Sequence, residues 1–369
     1  MHLKPLEPAP SARPLRDSVA TGVLFASLIS VLGCTQSSRW TIEHRPGKKE
    51  VFQVLEGVES RSGTVQPSPN MFPRIPLRKR LRTCCTFGED YEIAYGGGSA
   101  PLNLSNNVKG VEMLGPHRYD SGAPQVQVSK KAQPRLNEEN DGLVYTCRGG
   151  FIDTAHVRDY ADWTVFFATR FGRRLGRGVQ IQLPDAAGRL KVQLKPLPDR
   201  LIHKHGRRKL SALLAQWVTF QLSIWHEIAT YYGWSRLSGF SELSSAFSPE
   251  DLYSNLLGTK IGGALVRRRL TRSEATYNKN MNTWLREALN HLGATKRLVG
   301  RSAVYDVNGV WWDNTKKVGQ FAYLLRRNLK TGQRIHPWLL QPRGPWLKRN
   351  LRAKCGSNPK KASLVNPTG

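Results

Sequence analysis

Apolar side chains recur at three- and four-residue spacing from Phe151 to about Arg170, which predicts an amphipathic helix. Asp153 or Thr154 can cap its first turn, because short polar side chains accept hydrogen bonds from free backbone N–H groups there. A Gly-Gly pair directly before the helix indicates a tight turn.

Three further helices are predicted downstream. Residues 207–232 show the strongest helical periodicity of the chain and end before Gly233. Residues 248–266 begin with the capping sequence Ser-Pro-Glu-Asp. A third segment starts at a capping Thr271 or Ser273 and ends at a glycine.

Strands are predicted in smaller number. Residues 178–198 contain two alternating runs joined by a glycine-bearing turn, which indicates a β-hairpin, and residues 84–119 resemble short strands and turns. The expected fold is a single α+β domain, mainly α-helical, with a small hairpin and strand region over residues 75–345. The basic residues 346–369 are expected to form a disordered tail.

The first 34 residues resemble a secretory signal. Three basic residues precede the uncharged stretch "SVATGVLFASLISVLGC", which ends in the lipobox-like sequence "VLGC". We therefore expect residues 1–33 to be a signal peptide, Cys34 to be lipidated, and residues 34–74 to include a flexible tether. Thr35 in place of aspartate favours an outer-membrane lipoprotein facing the periplasm; the alternative is an apolar segment with an incidental cysteine.

The charge balance favours an anionic partner. Lysine and arginine number 56 against 27 acidic residues, a formal net charge of +29. In an exported protein the polyanions are lipopolysaccharide, peptidoglycan and anionic lipid, so no nucleic acid is expected. Nucleic-acid binding is retained only if the chain is not exported. The partners expected are the outer membrane, through the lipid anchor, and an anionic envelope polymer or lipid.

The cysteines predict disulfides in an oxidising compartment. Beside Cys34 the chain has Cys84, Cys85, Cys147 and Cys355, which allow three pairings. A bond between the adjacent Cys84 and Cys85 would be strained, so Cys147 or Cys355 is the favoured partner of each.

Candidate chemistry lies in "WHEIATYYGW" on the second predicted helix. His226 and Glu227 resemble the start of the zinc protease sequence H-E-x-x-H, but Thr230 occupies the second histidine position, so that signature fails. A metal site would need ligands from elsewhere, and His156 on the first predicted helix is the natural second imidazole. Zinc or another divalent metal is the cofactor expected.

The resulting hypothesis is metal-assisted hydrolysis of an envelope component. His156 and His226 would bind the metal, Glu227 would take the proton of the attacking water, and Asp153 or Asp159 would orient or ligate. Glu250 and Asp251 are further oxygen ligands within reach.

Three alternatives stay open. The histidines could be buried side chains that only hold helices together, in a non-catalytic protein that binds lipopolysaccharide, peptidoglycan or anionic lipid. Cys147 could be the nucleophile of a hydrolase, with a pKa lowered by the helix start that follows it. The tryptophans and tyrosines of residues 217–234 could line a sugar or lipid cleft, although core packing is the commoner role at helical spacing.

The stretches "RTCCTFG", "GLVYTCRGGFIDTAHVRDYADWT", "WHEIATYYGW" and "FSPEDLYSNLLGTKIG" together resemble an uncharacterised domain-of-unknown-function family of proteobacterial lipoproteins. The resemblance spans most of residues 75–345. It implies export, a single domain, and that Cys84, Cys85 and Cys147 belong to the family pattern. It implies no catalytic residues.

Overall fold

The computed structural model describes residues 43–57, 72, 82, 87–90, 92–94, 101–103, 107–120, 138–183, 190–234, 242–318 and 321–366. These residues all lie in one compact unit, Thr41–Gly369. The predicted signal peptide, Cys34, Cys84 and Cys85 lie outside the described residues.

Helices dominate the described residues, and strands occur as short antiparallel pairs. The helices are α1 (Lys48–Leu55), α2 (Thr154–Arg174), α3 (Asp199–His205), α4 (Arg207–Tyr231), α5 (Asp251–Arg267), α6 (Glu274–His291), α7 (Arg297–Asp306) and α8 (Pro345–Cys355). The paired strands are β1 (Glu92–Ala94) with β2 (Pro101–Asn103), β3 (Leu143–Thr146) with β4 (Gly150–Asp153), β5 (Val179–Gln182) with β6 (Lys191–Leu194), β7 (Trp312–Val318) with β8 (Phe321–Leu324), and β9 (Arg334–Ile335) with β10 (Leu364–Val365). The predicted mainly helical α+β class is confirmed.

The core is built around α2, which packs against both α4 and α5. Its residues from Thr154 to Thr169 are all buried. Two glycines on α5 permit the close contact: a Cβ at Gly258 would lie 2.3 Å from the carbonyl oxygen of Val157, and one at Gly262 would lie 2.7 Å from that of Ala161. α2 and α5 therefore approach each other at backbone distance, and the side chains between α2, α4 and α5 are buried.

The β3–β4 hairpin leads directly into α2. Leu143 pairs with Asp153 in its register, so the last residue of β4 is also the N-cap of α2. Gly150 turns the chain with φ +67°, and a Cβ there would lie 2.2 Å from the backbone oxygen of Trp338. The Gly-Gly pair read in the sequence thus serves a tight turn and a close approach.

Both ends of the described chain depart from the prediction. Within the expected tether, α1 buries Val51, Val54 and Leu55 in the main hydrophobic cluster, because its apolar face packs on α5 and α6. The expected disordered tail forms α8 and β10, with Leu347 and Leu351 buried in a second cluster. No described helix has the length and apolar character needed to cross a membrane.

Candidate metal centre

His156 lies in the first turn of α2 and is held there by its neighbours. The carboxylate of Asp153 accepts from the backbone N–H groups of Ala155, at 2.7 Å, and of His156, at 3.3 Å. The backbone N–H of Asp153 in turn donates to the Ser254 hydroxyl of α5 at 3.0 Å. Asp153 is therefore an N-cap, as the sequence predicts, and it fixes the position from which the imidazole projects.

The other groups come from α4 and from the start of α5. The carboxylate of Glu227 accepts from the backbone N–H of Phe247 at 2.9 Å and from the amide of Asn255 at 3.4 Å. The carboxylate of Asp251 accepts from the backbone N–H of Ser248 at 2.7 Å. Each carboxylate is thus oriented by a neighbouring loop or helix.

Three of these side chains converge on one point. One ligand atom each from His156, Glu227 and Asp251 lies within 4.8 Å of the other two. Nδ1 of His156 is 3.1 Å from Oδ1 of Asp251 and 3.7 Å from Oδ2 of Asp153. The three residues are at most 3 % exposed. One nitrogen and two carboxylate oxygens form a donor set that suits zinc and other divalent first-row metals.

The charges at this point are unbalanced. Among the described residues, no lysine or arginine forms an ion pair with Glu227, Glu250 or Asp251. Burial, and then the negative charge of Asp251, raise the pKa of Glu227 well above its ordinary value. The charge of Arg327 reaches Glu227 and Asp251 only at longer range. Buried carboxylates without a directly paired cation are costly, so this centre favours either bound protons or a bound metal ion.

Glu250 adds a further buried carboxyl group. Its Oε1 atom accepts from the Ser248 hydroxyl at 2.6 Å, and its Oε2 atom has no hydrogen-bond partner in the described part of the chain. Burial, followed by the charge of Asp251, raises the pKa of Glu250 well above its ordinary value. Glu250 is thus a proton-holding group adjacent to the three converging side chains.

His226, expected as the second metal-binding imidazole, does not belong to this group. Its neighbour in sequence, Glu227, faces the centre instead, while the His226 ring packs edge-on against Trp234 with ring centroids 5.6 Å apart. Consecutive helical residues project about 100° apart, so α4 can present only one of the two at this point. Thr230 donates to the backbone oxygens of His226 and Glu227 at 3.0 and 3.1 Å and stays within its own helix.

Asp159, expected to orient His156, lies in a different buried network. Its carboxylate accepts from Arg82 at 2.7 Å, and the same guanidinium donates to Asp162 at 2.9 Å and to Glu139 at 2.6 Å. His117 lies 3.0 Å from Asp162. Burial alone would raise the pKa of Glu139, yet Arg82 and Arg158 lower it well below its ordinary value. This network carries its own cations and is a structural element.

Cys147 forms a disulfide with Cys355, so the expectation that each of them pairs with Cys84 or Cys85 is wrong. The bond joins the turn of the β3–β4 hairpin to the last residue of α8 across 208 positions of sequence. A disulfide sulfur is no nucleophile, so the expectation of a Cys147-dependent hydrolase is wrong.

The sequence predicted Asp251 only as a further oxygen ligand, and it did not predict the hydrogen bond from Asn255 to Glu227. The Ser-Pro-Glu-Asp cap was the available signal, since it positions carboxyl groups at the buried start of α5. Nothing in the spacing of Arg82, Glu139 and Asp162 indicated that they would meet.

The comparisons with known proteins give a family and no activity. A family model described as "Protein of unknown function (DUF4056)" matches residues 72–341. No curated protein and no solved structure matches the chain.

Proposed function

This chain belongs to the DUF4056 family of proteins of unknown function, and we propose that it is a metal-dependent hydrolase. The ion would be held by His156, Glu227 and Asp251. The observation that carries the proposal is their convergence within 4.8 Å at a buried point where no described lysine or arginine forms an ion pair with the two carboxylates.

The spacing of the side chains fits a metal. Ligand atoms at about 2.0–2.2 Å from one tetrahedral ion are about 3.3–3.6 Å apart. The 3.1 Å between Nδ1 of His156 and Oδ1 of Asp251 is slightly below that range, and the ligand atoms of all three residues lie within 4.8 Å of one another. The carboxylates also have the oriented contacts, from Phe247 and Ser248, that commonly support metal ligands.

The protein residues divide into ligands and a proton acceptor. A bound divalent ion would supply Lewis acidity, which lowers the pKa of a coordinated water. Glu227, expected from the sequence to be the base, takes the position of a ligand. The carboxyl group of Glu250 is buried, and its Oε1 atom accepts a hydrogen bond from Ser248. Its Oε2 atom has no hydrogen-bond partner among the described residues, so it would be the oxygen that accepts a proton.

The expected substrate is an envelope component only if the chain is exported. Under that condition the substrate class remains the one proposed from the sequence, an envelope polymer or lipid.

The test is the metal content of the purified full-length chain, measured by elemental analysis after exposure to zinc and removal of free ions. Wild type should hold about one ion per chain, and the near-isosteric variants Glu227→Gln and Asp251→Asn should lose it. His226→Ala is the matched control, because its ring lies outside the group and it should retain the ion. Equal, negligible metal in wild type and variants contradicts the proposal.

A second candidate is a non-catalytic envelope-binding protein in which the ion only ties α2, α4 and α5 together. The observation in its favour is the burial of all three ligands, since structural metal sites are closed. Hydrolysis of p-nitrophenyl acetate separates the two. Zinc-dependent turnover that Glu250→Gln abolishes, with the metal retained, supports the hydrolase. Metal binding that raises the melting temperature without turnover supports the second candidate.

A further inference from the structure

One face of α4 carries exposed aromatic side chains beside partly buried aliphatic ones. Between Leu210 and Tyr232 the helix carries a single charged residue, Glu227, which points inward. The outward side chains recur at three- and four-residue spacing. This α4 face consists of the exposed residues Trp217, Gln221, Trp225 and Tyr232, with Leu214, Val218 and Ile228 partly buried against the main hydrophobic cluster.

The large aromatic side chains of this face are open to solvent. Trp217 is 42 % exposed, Trp225 is 45 % exposed and Tyr232 is 83 % exposed. Such side chains bury much apolar area when they are covered, so their exposure on one helix face indicates a partner. Trp163, in contrast, is buried in the main hydrophobic cluster.

Basic side chains gather at the N-terminal end of α4. Arg207 donates to the backbone oxygen of Gly172 at 3.2 Å, which brings the arginines in the last turn of α2 beside the first turn of α4. Burial, and then the charges of Arg269 and Arg272 beyond α5, lower the pKa of Arg208. This basic end consists of Arg173, Arg174, Arg207, Arg208, Arg269 and Arg272.

Three basic clusters that are far apart in the sequence meet at the basic end. Residues 170–177, 203–209 and 267–272 are each rich in arginine or lysine. The fold brings them to one place because α2 and α5 both end where α4 begins. The cation at the other end is Arg327, whose guanidinium lies 5.4 Å from the ring centroid of Tyr231.

We propose that the α4 face and the basic end form a surface that lies on an anionic lipid bilayer. The apolar stripe would enter the boundary between headgroups and acyl chains, and the arginines would contact lipid phosphates. A helix with tryptophan, tyrosine and leucine on one side and arginines at its end is typical of helices that lie in the membrane interface. The helix is about 37 Å long, so it would rest along the surface over its length.

An anionic bilayer fits this surface better than a second copy of the chain. A second copy joined through α4 would offer no negative charge to the arginines, because Glu227 faces inward and the chain has a net charge of +29. A bilayer offers acyl chains to the stripe and negative charge to the arginines at the same time. The surface does not depend on the proposed metal centre, because Glu227 faces inward while Trp225 faces outward.

The test is quenching of tryptophan fluorescence in the full-length chain by vesicles of brominated phosphatidylcholine, with and without phosphatidylglycerol. Wild type should be quenched by the anionic vesicles, and Trp217→Phe/Trp225→Phe should lose most of that quenching. The control is Trp346→Phe, which removes a tryptophan of similar exposure, 40 %, from α8 and should leave the quenching unchanged. The same variants report on position in the lipid even if the N-terminal segment also binds vesicles.

The contribution of charge is tested separately. Arg174→Gln/Arg272→Gln changes two exposed arginines and should weaken vesicle binding about fivefold for each charge removed. Added salt should also weaken wild-type binding.

Quenching that survives Trp217→Phe/Trp225→Phe, or light scattering that shows dimers dissociated by Trp225→Ser, would overturn the proposal. Binding that persists after chelation separates this surface from the metal centre.

Discussion

Nδ1 of His156, on α2, lies 3.1 Å from Oδ1 of Asp251 at the start of α5, although 95 residues separate them in sequence. The contact joins two helices that also meet through Gly258 and Gly262, so their geometry is fixed by backbone packing. A ligand set on packed helices is held more rigidly than one on loops. This rigidity is what a metal centre requires.

The metal-free protein should lose stability as pH rises above about 4.5. The raised pKa values of Glu227 and Glu250 mean that the folded state keeps protons which the unfolded state releases. The free energy of unfolding should therefore fall by up to about 1.4 kcal/mol per pH unit for each group, until pH passes the folded-state pKa. Urea denaturation with chelator at several pH values measures this slope.

Glu250→Gln should flatten that slope, because a neutral amide needs no proton. Glu274→Gln, at the exposed start of α6, is the matched control and should leave the slope as in wild type. A wild-type stability that rises steadily from pH 5 to pH 8 in chelator would contradict the assignment.

Loss of the Cys147–Cys355 disulfide should destabilise the fold by about 2–5 kcal/mol, because the bond closes a long loop and anchors α8. Cys355→Ser, compared with wild type by thermal melting, measures the effect. Reducing agent should lower the melting temperature of wild type and not that of the variant. Zinc binding by a folded Cys355→Ser chain should persist, since neither sulfur is a ligand.

Gly258→Ala should destabilise the chain by about 1–3 kcal/mol, although alanine is the better helix former. Its Cβ would lie 2.3 Å from the backbone oxygen of Val157, and backbone atoms of a packed helix cannot move aside cheaply. Chemical denaturation measures the change. Gly332→Ala, where a Cβ would meet nothing within 4 Å, should change stability little, and equal effects at both sites would contradict the packing argument.

Arg82→Gln should be among the most damaging single substitutions, at about 3–5 kcal/mol, because it leaves the carboxylates of Glu139, Asp159 and Asp162 buried without their shared cation. The comparison is Lys279→Gln, which breaks an ion pair with Glu43 whose side chains are each 46 % exposed. That change should cost less than about 1 kcal/mol. Soluble yield and melting temperature are the measurements.

Local sequence signals located the four long helices α2, α4, α5 and α6. Asp153 caps α2, Ser273 caps α6 by accepting from Thr276, and Gly233 follows α4 with φ +93°. These signals act within a few residues and can be read without the fold. The short helices α1, α3, α7 and α8 were not predicted; α1 and α8, for example, are buried against partners far away in the chain.

Only part of the candidate site could be predicted from the sequence, because the site also depends on contacts between distant residues. The sequence grouped His156 with Glu227 and Asp153, and the structure places His156 close to both, while the roles expected for them stay predictions. His226 and Asp159 lie outside this group, because the choice between adjacent positions on a helix depends on which side meets a neighbour. The close packing of α2, α4 and α5 decides which side of each helix faces the site. A local sequence pattern cannot predict this packing.

The last described residues are folded against the rest of the domain, which has a practical consequence for truncated forms of the protein. The family match ends at residue 341, yet Leu347 and Leu351 fill part of an interior cluster, and Tyr253 donates to the backbone oxygen of Ala362 at 2.7 Å. A fragment cut at the family boundary would expose Trp311 and its neighbours to water. Recombinant production should therefore keep residues 342–366, or aggregation is the expected outcome.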